Sequence, residues 1–296
     1  MNRILLLSTL IFVFCGNVFA QSDLQQMYGA ERSFDQIAEE SGMKAAFLGF
    51  LASDAIVFRP NPVNGIDFWK SQNDAAAPTI LVRNSTYADI SFNGLLGYTM
   101  GSWRSYPKGK RDDLSKFGQF VTLWEKNQDG KFRAAVDVGI THDEIPMTDK
   151  ATGYLTDIRK DPNISGRSPA DASMNFLTMS MNQSALGGAY DKFAADDVRV
   201  LHDGVPPIVG KKTVVSEMKR YKSINFPKKV ALFQAADMAY TWNACEFADS
   251  NEGIEKGTCL HIWKLRDKKW WIVLGVFARV TDDSLPSLKP KPKAKK

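Results

Sequence analysis

From Met43 to Leu51 the apolar residues Met43, Ala46, Phe47, Phe50 and Leu51 recur at i, i+3, i+4, i+7 and i+8, the stripe of a helix with one buried face. The run "AIVFR" (55–59) predicts a short strand, and a glycine then opens a second short helix from Gly65 to Ser71. Beyond it the pattern changes to the two-residue period of strands. "NG" at 93–94 separates the strands "TYADIS" and "LLGYTMGSW", and "DG" at 129–130 joins "FVTLWEK" to "FRAAVDVGI"; both dipeptides favour tight hairpin turns. Helices first and strands afterwards predict an α+β fold, with a curved antiparallel sheet wrapped over N-terminal helices.

The chain then repeats itself. "LGYTMGSW" (96–103) returns as "MAYTWNAC" (238–245), which sets Tyr98 and Tyr240 142 positions apart. At that offset "AERSF" (30–34) faces "ASMNF" (172–176), and "LASDAIVF" (51–58) faces "FAADDVRV" (193–200) with Asp54 opposite Asp196. After a loop of different length the offset becomes 139, so that "GQFVTLWEK" faces "GTCLHIWKL", Trp124 matches Trp263 and Phe132 matches Trp271. Copy two has a less regular stripe in Ala185, Ala189 and Phe193, then the strand "VRVLH" and a helix from Gly210 to Tyr221. Agreement of order, spacing and residue type marks an internal duplication. It divides the chain into an N-terminal segment (21–29), a first domain (30–142), a polar linker with Pro and Gly (143–169), a second domain (170–281) and a tail (282–296).

The order helix, strand, short helix and meander, with "LGYT.G.W", "G.FVT.W.K..DG.F" and a closing "DVGI", resembles the nuclear transport factor 2-like (NTF2-like, cystatin-like) superfamily. Within it, copy one is most similar to small secreted members related to SnoaL-like cyclases and ketosteroid isomerases. The resemblance implies two tandem cone-shaped rolls, each with an open pocket between sheet and helices. It implies no single chemistry, because the superfamily holds isomerases, dehydratases, cyclases, ligand carriers and interaction modules.

Arg59, Tyr98 and Asp137 are polar residues among otherwise apolar strands of copy one. A carboxylate half-enclosed by apolar walls has a raised pKa and serves as a general base, and a tyrosine beside it donates to a developing oxyanion. Asp137 as base and Tyr98 as acid are therefore the candidate catalytic pair. The alternative is that Asp137 pairs structurally with Arg59 or caps its strand end. The sequence pairing sets Val276 opposite Asp137 and Leu201 opposite Arg59, so that of this trio Tyr240 alone persists. Trp103, Tyr240 and His261 complete the candidate ligand contacts; His261 shares a strand face with Cys259 and Trp263, and aromatics at this spacing also read as core. No His, Cys or carboxylate cluster has metal-site spacing, and no cofactor motif occurs.

Composition adds a compartment. Arg3, the apolar run "ILLLSTLIFVF" and the small residue ending "NVFA" read as a cleavable secretory signal over 1–20, with a signal anchor as the alternative. The mature chain then holds Cys245 and Cys259, which flank a loop centred on residue 252 and are expected to oppose one another on neighbouring antiparallel strands. A disulfide there, in a secreted or periplasmic protein, closes a short loop worth about 3 kcal/mol in the chain-entropy model. The net charge of +5 is misleading: Arg3 and the five lysines of "KPKPKAKK" take six of the 38 basic residues, leaving 32 against 33 acidic ones. Specific nucleic-acid binding needs a basic face on the folded body, so none is expected, nor a membrane span after signal cleavage. The expected partner is a small apolar ligand, and the sheets are expected to pack on each other or on a second copy as a homodimer. Three functions stay open: an exported binding protein holding a ligand through Arg59, Tyr98 and Asp137, an isomerase, dehydratase or cyclase using Asp137 and Tyr98, or a scaffold with filled pockets.

Overall fold

The computed structural model describes residues 22–59, 61–73, 79–107, 110, 116–145, 153–154, 168–182, 186–226, 231–249 and 253–280. The segment 1–20 and the tail 282–296 lie outside the described residues. No described helix is long and apolar enough to cross a membrane.

The first roll contains α1 (Asp23–Ser41), α2 (Met43–Phe50), β1 (Leu51–Phe58), β2 (Pro62–Asn64), α3 (Gly65–Ser71), β3 (Thr79–Ile90), β4 (Leu96–Pro107), β5 (Lys116–Lys126), β6 (Phe132–Thr141) and β7 (Gly153–Tyr154). The second contains α4 (Pro169–Ser180), α5 (Leu186–Phe193), β8 (Ala194–His202), β9 (Val205–Val209), α6 (Lys211–Met218), β10 (Tyr221–Asn225), β11 (Ala231–Ala235), β12 (Met238–Asp249), β13 (Gly253–Arg266) and β14 (Lys269–Arg279). Ser22 and Gln25 form a reciprocal capping box that starts α1. Gly42, at φ 92°, ends it in a conformation that side chains disfavour and lets α2 turn back at once. Residues 23–29, set apart by the sequence reading as a leading segment, are the first turns of α1 and bury Met27 completely.

The sheets run β2-β1-β6-β5-β4-β3-β7 and β10-β12-β13-β14-β8-β9, with β11 also on β12. The expected antiparallel meander of each roll is joined by one parallel strand from the helical end, β1 on β6 and β8 on β14. The remaining strands form a meander, whereas the first strand of each roll enters from the helices and joins the last on the far edge. β7, within the expected linker, adds a short parallel pairing to β3.

Register confirms the duplication and shifts its alignment. In the first sheet Thr99, Thr122, Asp137 and Val57 are aligned across four strands; in the second the same row is Thr241, His261, Gly275 and Val200. Asp137 therefore corresponds to Gly275 rather than Val276. By the same pairing Arg59 follows Phe58 as His202 follows Leu201, so its counterpart is His202. The two alignments differ by one residue because the copies differ in turn length, and nothing in an apolar strand marks such a slip.

Alternation then separates two layers. Helices pack on one face of each sheet, where Phe34, Phe47 and Trp124 form a core with Met27, and where Phe176, Tyr190, Phe193 and Trp263 form its counterpart. Edge-to-face pairs repeat too: Phe34 meets Phe47 at 4.8 Å, and Phe176 meets Tyr190 at 5.3 Å. The opposite faces meet one another in a third core that includes Tyr98, Leu123 and Val136 from the first sheet and Tyr240, Ile262 and Leu274 from the second. Of the two arrangements expected of the sheets, packing on each other within one chain is the one this core forms.

Charges in this layer are complementary and not symmetric. Glu125 and Lys264 hold equivalent positions, opposite Leu96 and Met238. Tyr240 donates to Glu125 at 3.0 Å, while Lys264 lies 3.2 Å from Asp89 and 3.3 Å from Asp237 and donates to the Ile90 carbonyl at 2.7 Å. Asp237 also accepts from the Phe92 amide at 2.6 Å.

Cys245 and Cys259 are bonded, with Cα atoms 6.0 Å apart. They are diagonal rather than directly opposed, since Cys245 aligns with Gly257 and Cys259 with Asn243. Their first-roll counterparts Trp103 and Phe120 are diagonal in the same way, with Trp103 aligned on Gly118.

Candidate functional site

The polar residues on the inner face of the first sheet converge on Arg83. A register shift between Ser85 and Tyr87 lets Arg83 share the inner face with Ala88 while Tyr87 joins the inter-sheet core. Its guanidinium lies 4.5 Å from the Phe34 ring centre and 3.7 Å from that of Phe120. It donates to Glu31, to Thr122 at 2.8 Å and to Asp137 at 3.3 Å, and its Nε is 3.3 Å from Asp35 Oδ1. Asp137 accepts in addition from Thr122 at 2.9 Å and from Arg59 at 3.0 Å. Glu31 accepts from Thr99 and from Trp124 Nε1, the latter at 3.2 Å.

Glu31, Arg83 and Asp137 are buried, whereas the side chains of Asp35 and Arg59 keep 21% and 24% exposure and form the open side of the cluster. Arg59 also lies over Phe47 and Trp69, at 5.4 and 5.8 Å from the ring centres, and those two rings stack at 4.4 Å. Burial, and then the neighbouring Glu31, push the Asp35 carboxyl up to about 8 against the pull of Arg83. For Arg83, burial opposes the charge, but Glu31, Asp137 and Asp35 outweigh it and hold the guanidinium above its ordinary value. With Asp35 protonated, two guanidinium groups face two carboxylates, which is the balance a buried cluster requires. Three buried atoms here lack a hydrogen bond of good geometry: Arg83 Nε and Asp35 Oδ1, which face each other as an ion pair at 3.3 Å, and Trp69 Nε1.

Of the candidate residues, the structure brings Arg59 and Asp137 together. It separates Tyr98 from them. Tyr98 aligns with Leu123 and faces the second roll, where its phenol is hydrogen-bonded to Tyr87 and burial raises its pKa well above the ordinary value. The inner position belongs to its neighbour Thr99, so the acid of the Asp137–Tyr98 pair is on the wrong side of the sheet. Tyr240 is displaced likewise, to Glu125. Trp103 is on the inner face but spends its indole N–H on the Gln119 and Ile140 carbonyls, at 3.0 and 3.1 Å. His261 faces the second core and is hydrogen-bonded to Tyr190 at 3.2 Å; burial lowers its pKa to about 4, so the ring is neutral. Among the described residues no group of three or more His, Cys, Asp or Glu is placed to hold a metal ion.

In the second roll Gly275 holds the position of Asp137. A Cβ on Gly275 would stand 2.9 Å from the Tyr190 hydroxyl. Tyr190 thus occupies with a neutral group the space that Asp137 fills with a carboxylate. What both rolls keep is an indole donating to a threonine, Trp124 to Thr99 and Trp263 to Thr241, each at 3.0 Å.

No protein-family model matches the chain, and neither does a curated protein sequence. Among solved structures the chain is similar to a ketosteroid isomerase-like protein from Erwinia carotovora atroseptica, with 18% identity, a TM-score of 0.32, and 38% of this chain and 93% of that one covered. It is also similar to an NTF2-like protein of unknown function from Pseudomonas putida, with 14% identity, a TM-score of 0.33, and 42% and 100% covered. A third, from Prochlorococcus marinus and also described as NTF2-like and of unknown function, shows 15% identity and a TM-score of 0.34 over 40% and 97%. The two-roll architecture rests on the strand orders and registers of the chain itself.

Proposed function

We propose that the first roll is a binding site for a small, largely apolar ligand with a polar end, and that the second roll is its scaffold. The observation that carries this reading is Trp69 Nε1, a buried donor without a hydrogen-bond partner beside the partly open end of a polar cluster. Buried polar groups without partners are costly, and a ligand that meets them removes the cost. The stacked Phe47 and Trp69 offer an apolar wall, and Arg59 supplies further N–H donors. The reading includes export, in keeping with a disulfide formed in an oxidising compartment.

A thermal-shift screen of the full chain with hydrophobic small molecules tests this, since ligand binding to the native state raises Tm by mass action. Hits should weaken with Trp69→Phe, which keeps the ring and removes the N–H. A screen without hits, or hits indifferent to Trp69→Phe, contradicts the reading.

A second reading, proton transfer in an isomerase, dehydratase or cyclase reaction, is favoured by Asp35, whose pKa near 8 suits a general acid or base at neutral pH. In this reading Asp35 takes the reacting role and Asp137, held by two arginines and a threonine, positions Arg83 and Arg59. Turnover unchanged in Asp35→Asn would remove it.

A further inference from the structure

We propose that the second roll binds a phosphorylated polyol in a lysine-lined groove on its helical side. The groove has a volume of about 500 Å³ and is lined by Lys211, Lys212, Lys219, Asp191, Asp196 and Ser216. Its cations are poorly neutralised. Lys211 reaches Asp191 at 3.9 Å, whereas Lys212 and Lys219 form no ion pair with a described carboxylate.

Further positive charge is held beside it. Lys269 lies 3.7 Å and Lys211 5.7 Å from the centre of the same Trp271 ring, and Lys269 donates to the Lys192 carbonyl at 2.9 Å. Burial, then the like charges of Lys211 and Lys192, lower the Lys269 pKa. An indole that keeps two ammonium groups close to a groove raises the local positive potential. Such crowding is relieved by a ligand carrying concentrated negative charge, which a phosphate monoester does with a charge of about −1.5 to −2 near neutrality. Asp191, Asp196 and Ser216 fit the other part of the ligand, because carboxylates repel a second anion but accept from hydroxyl groups. α3 of the first roll carries Asp67 and Lys70 in place of the lysine set, so the groove belongs to copy two.

Two sources share this chemistry, a free sugar phosphate and a phosphorylated polyol lipid headgroup. Titration calorimetry of the full chain with glucose 6-phosphate, glucose and inorganic phosphate, and co-sedimentation with phosphatidylcholine vesicles with and without phosphatidylinositol monophosphate, distinguish them. We expect one phosphorylated polyol to bind, glucose not to bind, inorganic phosphate to bind more weakly, and added salt to weaken binding. The double variant Lys212→Glu, Lys219→Glu should lower affinity at least about tenfold, or about 1.4 kcal/mol. Both positions are exposed, so Tm should hold within a few degrees; if it falls further, the glutamine pair takes its place and should still weaken binding. Failure of both phosphorylated probes to bind, equal binding of glucose, or full affinity in a folded variant overturns the site. Inorganic phosphate binding as tightly as the sugar phosphate overturns the polyol assignment.

Discussion

The Tyr190 hydroxyl stands 2.9 Å from the point where Gly275 would carry a Cβ, in the row of the second sheet that corresponds to Asp137 in the first. That hydroxyl fills in copy two the space that the Asp137 carboxylate fills in copy one. Gly275→Ala should destabilise the protein by about 1–3 kcal/mol through overpacking. In a Tyr190→Phe background the same change should cost less. A double-mutant cycle by urea denaturation measures the difference, and additive costs would show that the two residues do not compete for space.

Arg83 neutralises carboxyl groups drawn from α1 and β6. Arg83→Met should cost about 3–5 kcal/mol, the usual consequence of stranding buried charge. The loss should be greater at pH 9 than at pH 5, because a protonated Asp35 asks less of the missing cation. Denaturant midpoints at the two pH values test this.

Asp137 was legible because a lone carboxylate within "AAVDVGI" has to find a partner, and Arg59 was a reasonable one. The phase of β4 was not legible. From Leu96 to Ser102 every residue is buried, because one face of the strand meets helices and the other meets the second roll, so alternation does not distinguish Tyr98 from Thr99. Arg83 was hidden by a register shift that no residue in "TILVRNSTYADI" announces. Glu31 did leave a signal: it falls between Met27 and Phe34 on the buried stripe of α1, where a carboxylate needs a buried cation. The duplication was readable because equivalent aromatics fill equivalent spaces, while its one-residue slips fall in β8, within the phrase "FAADDVRV", and in β14, beyond a turn of different length.

Lys264 joins the rolls by serving Asp89, on the first, and Asp237, on its own. Lys264→Met leaves two carboxyl groups without their cation and should lower stability by about 3–5 kcal/mol. Because the third core is shared by both sheets, the wild type should unfold in one transition by circular dichroism and by tryptophan fluorescence. Two separated transitions in the wild type would contradict the intramolecular packing.

The Cys245–Cys259 bridge is buried and replaces the aromatic pair Trp103 and Phe120 of the first roll. Replacing both cysteines with alanine should cost about 3 kcal/mol from loop closure, with the cavity left by the sulfurs adding to it. Thermal unfolding of oxidised wild type and of the double variant measures the loss; equal Tm values would show that the bridge is dispensable.

The functional reading depends on a polar cluster in the first roll that keeps Asp35 neutral at physiological pH. Its folded pKa is raised, so the folded state binds a proton that the unfolded state has released, and the contribution of Asp35 to stability declines as pH rises from about 4 to about 8. Asp35→Asn should remove that decline. The most direct measurement is the side-chain carboxyl titration of Asp35 by carbon-13 NMR in the full chain, using Asp35→Asn to assign the resonance. A midpoint near 8 is the predicted result. A midpoint in the ordinary aspartate range, about 4, would contradict the site as described.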